Sequence, residues 1–337
     1  MKIAVLLSGG VDSAVAAMLL QEQGYDITGL TMINYHEEIA EEAKELAAVL
    51  GISHRVVDLR EAFAEKVIDY FCQVYEKGCT PNPCVMCNRY LKFGLLLDIA
   101  MDMGFDMVAT GHYARIEYNS LRNRYLLKKG LDKQKDQSYF LYVLQQEQLA
   151  RTMFPLGNMS KDKVRKIARD SGIHMGKERD SQEICFIEGD YRDFIKGRIN
   201  FQPGKVVDLE NNALGTHMGL PFYTIGQRRG LGISAGRPLY VVDMDLVRNL
   251  LIVDDEEKLY RDSLSSMDNN MIYVNELDSS LRVEAKIRYK ANPAAGILFQ
   301  EEDRLRIEFE QAQRAITPGQ SVVYYIDDYV LGGGVIE

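Results

Sequence analysis

Five cysteines, at positions 72, 79, 84, 87 and 185, are the side chains of this sequence with the widest range of chemistry. Three of them fall within Cys79-Thr-Pro-Asn-Pro-Cys84-Val-Met-Cys87, where two prolines within three residues favour a rigid, non-helical loop. Cys87 comes just before a predicted helix over Arg89–Met103. A helix N-terminus lowers the pKa of a thiol, so we expect Cys87 to be a good nucleophile. Cys72 has apolar neighbours at helical spacing, which predicts a buried core thiol.

Three kinds of site are compatible with the remaining thiols. A zinc site at Cys84-x-x-Cys87 is disfavoured, because no second C-x-x-C pair follows and only Cys185 remains as a distant ligand. An iron–sulfur cluster fits the C-x4-C-x2-C spacing together with Cys185. A redox pair needs only two thiols, one that carries sulfur and one that resolves it. Cys79 is expected to be a bystander.

A second candidate site lies near the N-terminus, at Leu7-Ser-Gly-Gly-Val-Asp-Ser13. Paired glycines between a strand and a helix let backbone amides approach a phosphate. The segment matches neither G-x-x-x-x-G-K-[ST] nor G-x-G-x-x-G, which disfavours ordinary NTPases and dinucleotide enzymes. It resembles the PP-loop of the ATP pyrophosphatases, which cleave ATP between the α and β phosphates and adenylate a substrate. The structural alternative is a tight strand–helix turn capped by Asp12.

The elements that position these residues alternate between strands and helices. Such alternation predicts an α/β fold with a doubly wound parallel sheet, in which the loops after the strands share one rim. Strands are predicted over Lys2–Leu7, Ile27–Ile33, Arg55–Leu59 and Met107–Thr110, and helices over Asp12–Gln23, Glu37–Leu50, Glu61–Tyr75, Arg89–Met103 and Tyr139–Leu144.

The pattern changes after about residue 189. Glycine and proline become frequent, and Arg282–Arg288 and Arg304–Glu310 alternate with period two, so we expect antiparallel β structure, a small barrel or a sandwich. The predicted domain boundaries divide the chain into residues 1–195, 196–257 and 258–337.

Composition and charge limit the class of protein. The chain has 337 residues, of which 46% are apolar and 26% charged, as in a soluble globular protein of two or three domains. No apolar run is long enough for a membrane span or a signal peptide, so a cytoplasmic location is expected. The net charge of −9 argues against a nucleic-acid partner. Residues 122–179, however, hold 14 Lys and Arg against 6 Asp and Glu, and phosphate binding needs local positive charge.

Seven short segments carry a closer resemblance, because they follow one another in a characteristic order. The segments are PNPCVMCN at 81–88, KFG at 92–94, ATGHYAR at 109–115, KDQSYFLY at 135–142, DSQEICFI at 180–187, TIGQRRGLGI at 224–233 and TPGQS at 317–321. Together they resemble the tRNA-specific 2-thiouridylase (MnmA) family over nearly the whole chain. That family has a PP-loop domain, a small central α+β domain and a C-terminal antiparallel β-barrel.

The resemblance implies a tRNA-uridine 2-sulfurtransferase. In that family ATP adenylates the C2 oxygen of the wobble uridine, and a persulfide sulfur then displaces AMP to leave 2-thiouridine, with pyrophosphate as the other product. The resemblance places the persulfide on Cys185 and makes Cys87 the nucleophile that releases sulfur, ending in an alternate Cys87–Cys185 disulfide. The implied partners are the Lys, Glu and Gln tRNAs and a persulfide donor, either a cysteine desulfurase or a sulfur relay protein.

The resemblance also implies binding residues. Asp12 is further expected to organise Mg²⁺ on the pyrophosphate. The implied ATP site comprises Leu6, Leu7, Ser8, Gly9, Gly10, Val11, Asp12, Ser13, Met32 and Gly111. The implied contacts with the target base are Asn82, Pro83 and Cys84, and those with tRNA are His112, Lys135, Asp136, Gln137, Arg288, Tyr289 and Gln320.

Structural alternatives accompany two of these assignments, and one further basic pair can be interpreted in two ways. His112 is equally compatible with a hydrogen-bonded structural histidine. The Lys135–Gln137 loop is compatible with an ordinary polar turn in which Asp136 is a cap. The pair Arg228-Arg229 is compatible with two solvated side chains or with a grip on a phosphate.

Two departures from the family pattern leave the sulfur chemistry open. Cys84 stands where the family commonly has Asp, and the stretch after Met32 is shorter than is common. Related sulfur-transfer PP-loop enzymes use three cysteines to hold a 4Fe-4S cluster, and Cys84, Cys87 and Cys185 are the candidates here. Both a persulfide scheme and a cluster scheme therefore follow from the sequence.

Two other function classes compete with this interpretation. Another PP-loop ligase or amidotransferase, such as argininosuccinate synthetase, needs neither paired cysteines nor an RNA-binding tail. A sulfur carrier or RNA-binding module without catalysis is disfavoured by the intact SGGVDS segment at 8–13.

Overall fold

The first half of the chain forms a parallel sheet with helices packed against it. The computed structural model describes residues 1–173, 184–234 and 236–337. The sheet has the order β3-β2-β1-β4-β7, with every neighbouring pair parallel. The strands of this half are β1 (Lys2–Leu6), β2 (Asp26–Ile33), β3 (Ser53–Asp58), β4 (Met107–Ala109), β5 (Ala114–Asn119), β6 (Arg124–Lys129) and β7 (Thr152–Met153).

The apolar run at the N-terminus forms the central strand of this sheet. Ile3, Ala4 and Val5 have no exposed surface, because both faces of β1 are covered. This burial explains why β1 is a continuous apolar run and does not alternate. The doubly wound α/β fold predicted from the sequence is confirmed.

Nine α-helical segments occur in the described ranges, and two π-helical stretches interrupt them. The π-helical stretch Ala64–Asp69 joins α3 to α4, and Cys87–Leu95 joins α5 to α6. The helices are α1 (Val11–Glu22), α2 (Glu38–Leu50), α3 (Arg60–Phe63), α4 (Tyr70–Glu76), α5 (Pro83–Met86), α6 (Leu96–Asp102), α7 (Gln146–Ala150), α8 (Lys161–Asp170) and α9 (Tyr191–Lys196). None of these helices is long and apolar enough to cross a membrane.

The second half of the chain is made of β structure. A central sheet has the order β10-β11-β8-β9, and its strands are β8 (Gly204–Val207), β9 (Ala213–His217), β10 (Tyr240–Asp245) and β11 (Leu250–Asp254). The C-terminal strands follow the order β12-β15-β14-β13-β16-β17, and β12 also pairs with β17, which closes a six-stranded antiparallel barrel. These strands are β12 (Tyr260–Met271), β13 (Leu281–Lys286), β14 (Ala294–Glu301), β15 (Arg304–Arg314), β16 (Ser321–Ile326) and β17 (Tyr329–Ile336).

The β5–β6 hairpin crosses from the first half of the chain to the barrel. Lys128 in β6 pairs with Tyr329 in β17, so the barrel sheet continues into a hairpin that precedes it by some 200 residues. Buried hydroxyls reinforce this contact, because Tyr139 donates a hydrogen bond to the Ser321 carbonyl oxygen at 2.8 Å. The sequence pattern gave no sign of this pairing.

Two predicted elements differ from the structure. The helix predicted over Tyr139–Leu144 is wrong: a short 3₁₀ turn, Ser138–Phe140, is followed by further turns. Tyr139 and Tyr142 are both fully buried, so this apolar run fills the space between the sheet and the barrel and presents no polar face. The helix predicted from Arg89 begins earlier, at Pro83, and therefore runs through Cys87.

Candidate active site

The candidate site lies at the rim where the parallel strands end. The chain leaves β3 at one edge and returns as β4 on the other side of β1, so the loops after β1 and β4 diverge. In open parallel sheets such a switch point is where ligands bind. The loops after β1, β2 and β4 all reach this rim and carry most of the residues discussed next.

The phosphate loop is built from backbone groups and two serines. Gly10 is the N-cap of α1, and no side chain caps that helix, so its first amides remain donors for an anion. Ser13 donates to the Gly10 carbonyl oxygen at 2.9 Å and accepts from the Ser8 amide at 3.3 Å. Gly9 has a φ of +72°, which favours glycine. Leu6 and Leu7 end the strand before the loop, with Leu7 buried.

Asp12 is the charged centre of this loop, and Lys161 is its partner. The Lys161 ammonium lies 2.8 Å from both Asp12 oxygens, and the Tyr113 hydroxyl donates to Asp12 at 2.7 Å. The Lys161 side chain is only 14% exposed. A largely buried ammonium beside the phosphate loop is suited to binding a polyphosphate, and sequence reasoning missed it. No local signal connects two residues 149 positions apart.

The loop after β4 packs directly against α1. A Cβ at Gly111 would lie 2.8 Å from the backbone carbonyl carbon of Asp12, so only glycine fits there. Met32, at the end of β2, is half-buried at the same rim. The predicted ATP-binding residues are therefore brought together by three neighbouring strand ends.

Cys84 and Cys87 lie on the helical stretch that starts at Pro83. Cys87 is buried, and burial raises its pKa to about 12, while desolvation raises the pKa of Cys84 to about 11 even though Cys84 keeps some exposed surface. The predicted activation of Cys87 by a helix N-terminus is wrong, because the helix continues through Cys87 and the thiol is desolvated. In the free protein both groups are thiols at neutral pH.

Cys185 reaches the same region from the other end of the domain. Asn34, in the loop after β2, donates to the Cys185 sulfur at 3.8 Å, and His36 contacts the Cys185 carbonyl oxygen at 3.1 Å. Residues 180–183 of the DSQEICFI segment lie outside the described residues. Asn34 and His36 are contacts that sequence reasoning missed, because only the fold brings the loop after β2 to Cys185.

The three thiols share one electrostatic environment. The Lys92 charge lowers the pKa of Cys84, Cys87 and Cys185, although in each case desolvation raises it by more. Negative charge on Cys185 would in turn raise the pKa of the other two thiols. Lys92 belongs to the KFG segment and follows Cys87 by five residues along the π-helical stretch. One cation therefore serves all three sulfur atoms.

The side chains of the rim offer few ligands for a metal ion. Within the described ranges, no three His, Cys, Asp or Glu side chains are arranged to hold a metal ion, and all five cysteines are free thiols. Cys84, Cys87 and Cys185 are thus not arranged around a single metal ion, although they lie close enough for the charge on one thiol to act on another. Asp12 is a single carboxylate already paired with Lys161, so it does not by itself form a Mg²⁺ site.

The loop that holds Asn82, Pro83 and Cys84 is clamped by the barrel. Gln320 donates to the carbonyl oxygens of Thr80 and Pro81 at 3.1 and 2.9 Å, and the Thr80 amide donates to the Pro318 carbonyl oxygen at 2.8 Å. Asn82 is buried. Gln320 was predicted to contact tRNA, and its amide group in this structure orients the loop predicted to hold the target base.

His112 is a neutral histidine at the centre of the rim. Thr110 bonds its Nδ1 at 2.7 Å, and Phe93 and Phe154 pack against the ring at 5.8 and 5.9 Å. Burial, with a smaller effect of the Lys92 charge, lowers its pKa well below the usual value. The imidazole is therefore suited to hydrogen bonding and does not act as a phosphate-binding cation.

The loop Lys135–Gln137 is held to the rim by its own side chains. Asp136 is buried and accepts from the amides of Gly130 and Ser138 at 2.9 and 3.1 Å. Gln137 accepts from the Tyr113 amide at 2.9 Å, next to His112. Asp136 therefore acts as a turn cap, as the structural alternative proposed, and Lys135 keeps a half-exposed position.

Arg288 and Tyr289 lie at the junction of the barrel with this loop. Arg288 donates to the Arg314 carbonyl oxygen at 2.6 Å, and burial lowers its pKa. The Tyr289 ring packs against Phe140 at 4.5 Å. Both residues are half-buried, so the part of each that remains exposed borders the rim.

The basic stretch 122–179 is partly neutralised by the fold. Lys128 pairs with Glu117 at 3.1 Å and Lys129 pairs with Glu284 at 3.4 Å, and both acids come from outside the stretch. Lys161 is paired with Asp12, as described above. Within the described part of the stretch, residues 122–173, these three cations are therefore paired and not free for phosphate.

Three family models match consecutive parts of the chain. They describe a tRNA methyl transferase HUP domain over residues 1–189, a tRNA methyl transferase PRC-barrel domain over 192–255 and an aminomethyltransferase beta-barrel domain over 261–336. The three matches follow the parallel sheet, the central sheet and the closed barrel.

Curated relatives cover the whole chain. A protein of Syntrophomonas wolfei named tRNA-specific 2-thiouridylase MnmA is 52% identical over 337 residues, the full length of both chains. Proteins of the same name from Moorella thermoacetica and Clostridioides difficile are 48% and 45% identical, over 99% and 100% of this chain and 98% of each relative. The chain belongs to the tRNA-specific 2-thiouridylase family, and the resemblance found in the sequence is confirmed.

Proposed function

We propose that this protein converts a wobble uridine of tRNA to 2-thiouridine, using ATP to activate the C2 oxygen. One observation carries the proposal beyond family membership: the phosphate loop and the thiols Cys87 and Cys185 belong to the same rim of one sheet. An enzyme that adenylates an oxygen and then replaces it with sulfur needs both groups within reach of one base.

In the first step the rim binds ATP. The Gly9-Gly10 backbone and the first amides of α1 would receive phosphate oxygens, and Lys161 would move from Asp12 to the polyphosphate. The uridine C2 oxygen attacks the α phosphorus and pyrophosphate leaves. The C2 oxygen then belongs to an adenylate, which is a good leaving group. Neutral His112 would orient the base as a hydrogen-bonding group. Mg²⁺ would supply charge neutralisation of the polyphosphate, with Asp12 as a candidate carboxylate ligand.

In the second step sulfur replaces oxygen. The terminal sulfur of a Cys185 persulfide attacks C2, AMP leaves, and a Cys185–S–S–tRNA linkage remains. The Cys87 sulfur then attacks Sγ of Cys185, so that the sulfur on the tRNA leaves as the 2-thio group. The Cys87–Cys185 disulfide that results must be reduced by an external thiol before the next cycle.

The raised thiol pKa values fit this order of events. Thiols that stay protonated in the free enzyme react more slowly with oxidants than thiolates do, and Lys92 provides the charge that would stabilise a sulfur anion during the transfer. We propose the persulfide scheme because it needs only the Cys87 and Cys185 thiols, with Cys84 close to the base in the position where the family commonly has Asp.

The remaining contacts are proposed from their positions around this rim. Asn82 and Pro83 would hold the target base, while Lys135, Arg288 and Tyr289 would contact the tRNA around it. We propose the Lys, Glu and Gln tRNAs as substrates, and a cysteine desulfurase or a relay protein as the persulfide donor.

The test is reconstitution with tRNA, ATP and a persulfide donor, followed by mass spectrometry of the nucleosides. We expect 2-thiouridine at the wobble position, together with tRNA-dependent release of AMP and pyrophosphate that Asp12→Ala abolishes. If tRNA did not stimulate ATP cleavage, the proposal would be wrong. An anaerobic preparation with iron and labile-sulfide assays separates the two sulfur schemes: full activity without iron supports the persulfide scheme, and activity that requires iron contradicts it.

A further inference from the structure

A groove of about 560 Å³ opens in the central part of the molecule, apart from the rim that carries the thiols. Three of its seven lining residues are arginines, Arg192, Arg228 and Arg229. Arg228 and Arg229 belong to the TIGQRRGLGI segment, to which the reaction described above assigns no role.

The turn that carries these arginines is held rigidly. Gln227 accepts from the Thr224 amide at 3.2 Å and donates to the Arg229 carbonyl oxygen at 2.9 Å, so one side chain fixes both ends of the turn. Gly226 has a φ of +87°, and a Cβ there would lie 2.8 Å from the Cβ of Ala315. A fixed backbone reduces the entropy lost when the arginines bind a ligand.

The groove carries positive charge that the described residues do not compensate. Arg228 and Arg229 are exposed, and no carboxylate of the described residues forms an ion pair with either. Arg192 is anchored, because it pairs with Asp190 at 3.0 Å and donates to the Phe222 carbonyl oxygen at 2.9 Å. Adjacent guanidinium groups in a groove that is open to solvent are suited to phosphate oxygens on a chain that passes through.

The groove adjoins the loop proposed to hold the target base. The Thr80 hydroxyl donates to the Thr224 hydroxyl at 3.4 Å, and Thr80 precedes Asn82 by two residues. The Tyr191 ring stacks on Tyr75 with their centres 4.6 Å apart. A tRNA whose modified base lies at Asn82 would therefore have neighbouring backbone close to the groove.

We propose that this groove binds the phosphodiester backbone of the tRNA through Arg228 and Arg229. The inference rests on the proposed function, since it assigns a further contact to the same substrate. The groove would contact the phosphodiester backbone and not the bases, so it contributes affinity and orientation without sequence specificity.

The experiment measures the dissociation constant for tRNA at several salt concentrations, for the wild type and for Arg228→Ala/Arg229→Ala. A plot of the logarithm of the tRNA association constant against the logarithm of salt concentration has a negative slope. Each lost phosphate contact reduces the magnitude of that slope by about 0.7 to 0.9, so we expect the variant to have a slope that is shallower by about 1.5. We also expect a higher KM for tRNA, with kcat at saturating tRNA and KM for ATP unchanged. Because both side chains are exposed and unpaired among the described residues, the variant should fold normally.

Two matched variants make the result specific. Arg228→Lys/Arg229→Lys keeps the charge and should restore most of the slope. Arg55→Ala/Arg261→Ala removes the same charge from exposed positions on β3 and β12, and should leave the slope unchanged. An unchanged slope in the groove variant, or an equal loss in the remote variant, would overturn the proposal.

A small phosphate compound is the other possible source of phosphate chemistry. Calorimetric titration with inorganic phosphate should show no millimolar binding that depends on Arg228 and Arg229, and binding of that kind with an unchanged tRNA slope would also overturn the proposal. Failure of the groove proposal can be distinguished from failure of the proposed function. A wild type that forms no 2-thiouridine contradicts the function, whereas an active wild type with an unaltered slope in the variant contradicts only the groove.

Discussion

The phosphate loop and the thiol region lie at the same rim but are built in different ways. The phosphate loop is a short strand–turn–helix unit whose donors are backbone amides, and its strongest interaction is the Asp12–Lys161 pair at 2.8 Å. The thiol region gathers Cys87, Cys185 and Asn34 from separate parts of the chain. Its thiols are desolvated and uncharged, whereas the phosphate loop is charged and preformed.

The two constructions suit the two half-reactions in different ways. A polyphosphate is always charged, so its site can be permanently polar. A thiolate is reactive toward oxidants and wrong electrophiles, so a site that raises the pKa of Cys87 to about 12 keeps it dormant until the substrate completes the environment. Reactivity at the sulfur end is therefore expected to depend on bound substrate, whereas the phosphate site is already formed in the free protein.

The sharpest test of this separation is to remove the sulfur nucleophiles. We expect Cys185→Ser and Cys87→Ser each to lower 2-thiouridine formation by at least ~10³-fold, because a hydroxyl cannot carry or exchange sulfur. tRNA-dependent pyrophosphate release should remain within a few-fold of the wild type, measured by a coupled pyrophosphate assay. Simultaneous loss of both activities would show that the two regions do not work independently.

The next largest effect is expected at the phosphate end. Lys161→Met should lower kcat/KM for tRNA-dependent pyrophosphate release by about 10²-fold, since one preorganised charge on the polyphosphate is lost. The matched control is Lys163→Met, on the same helix but exposed, which should stay near the wild-type rate. If the two variants lost activity equally, Lys161 would have no special role at the phosphate.

The pH dependence of alkylation tests whether the Cys87 thiol stays protonated in the folded protein. With a pKa of about 12, the thiolate fraction of Cys87 should rise roughly tenfold for each pH unit between 7 and 10, without a plateau. Quantitative mass spectrometry of the alkylated Cys87 peptide gives the rate. The same peptide in urea, with an ordinary thiol pKa near 8.5, should level off above that pH. A plateau near pH 8 in the folded protein would contradict the burial argument.

The smallest expected effect concerns the clamp between the barrel and the Thr80–Cys84 loop. Gln320→Ala removes two hydrogen bonds, to the Thr80 and Pro81 carbonyl oxygens, and should lower the free energy of unfolding by about 1–3 kcal/mol. Urea denaturation measures this change, and KM for tRNA should rise modestly because the loop is less well oriented. The exposed Gln311→Ala is the control and should change stability by less than about 0.5 kcal/mol.

The sequence predicted the phosphate end well, because its signals are local. The strand, the glycine turn and the helix at Lys2–Glu22 follow from an apolar run, two glycines and a helical period within some twenty residues. The parallel sheet and the closed barrel followed from alternation of elements and from period-two strands. Lys161 was not predictable, since nothing in the spacing relates it to Asp12.

The sequence predicted which thiols belong to the sulfur end, but not their burial or their raised pKa values. Proline spacing and the family motifs singled out Cys84, Cys87 and Cys185, yet the expected activation of Cys87 by a helix N-terminus was wrong. The helix starts at Pro83, and the environment of Cys87 depends on packing around the π-helical stretch Cys87–Leu95. Burial is a property of the folded chain, and local spacing does not report it.

The residue types, the order of the elements and the family can all be obtained from the sequence. The folded chain is needed to show that Lys161 neutralises Asp12, that the thiols share Lys92 and are desolvated, and that Gln320 holds the Thr80–Cys84 loop. The signals in a sequence are local, and these interactions are not. Helical and strand periods act over a few residues, whereas desolvation, ion pairing and clamping depend on groups that are distant in the chain and meet only in the folded protein.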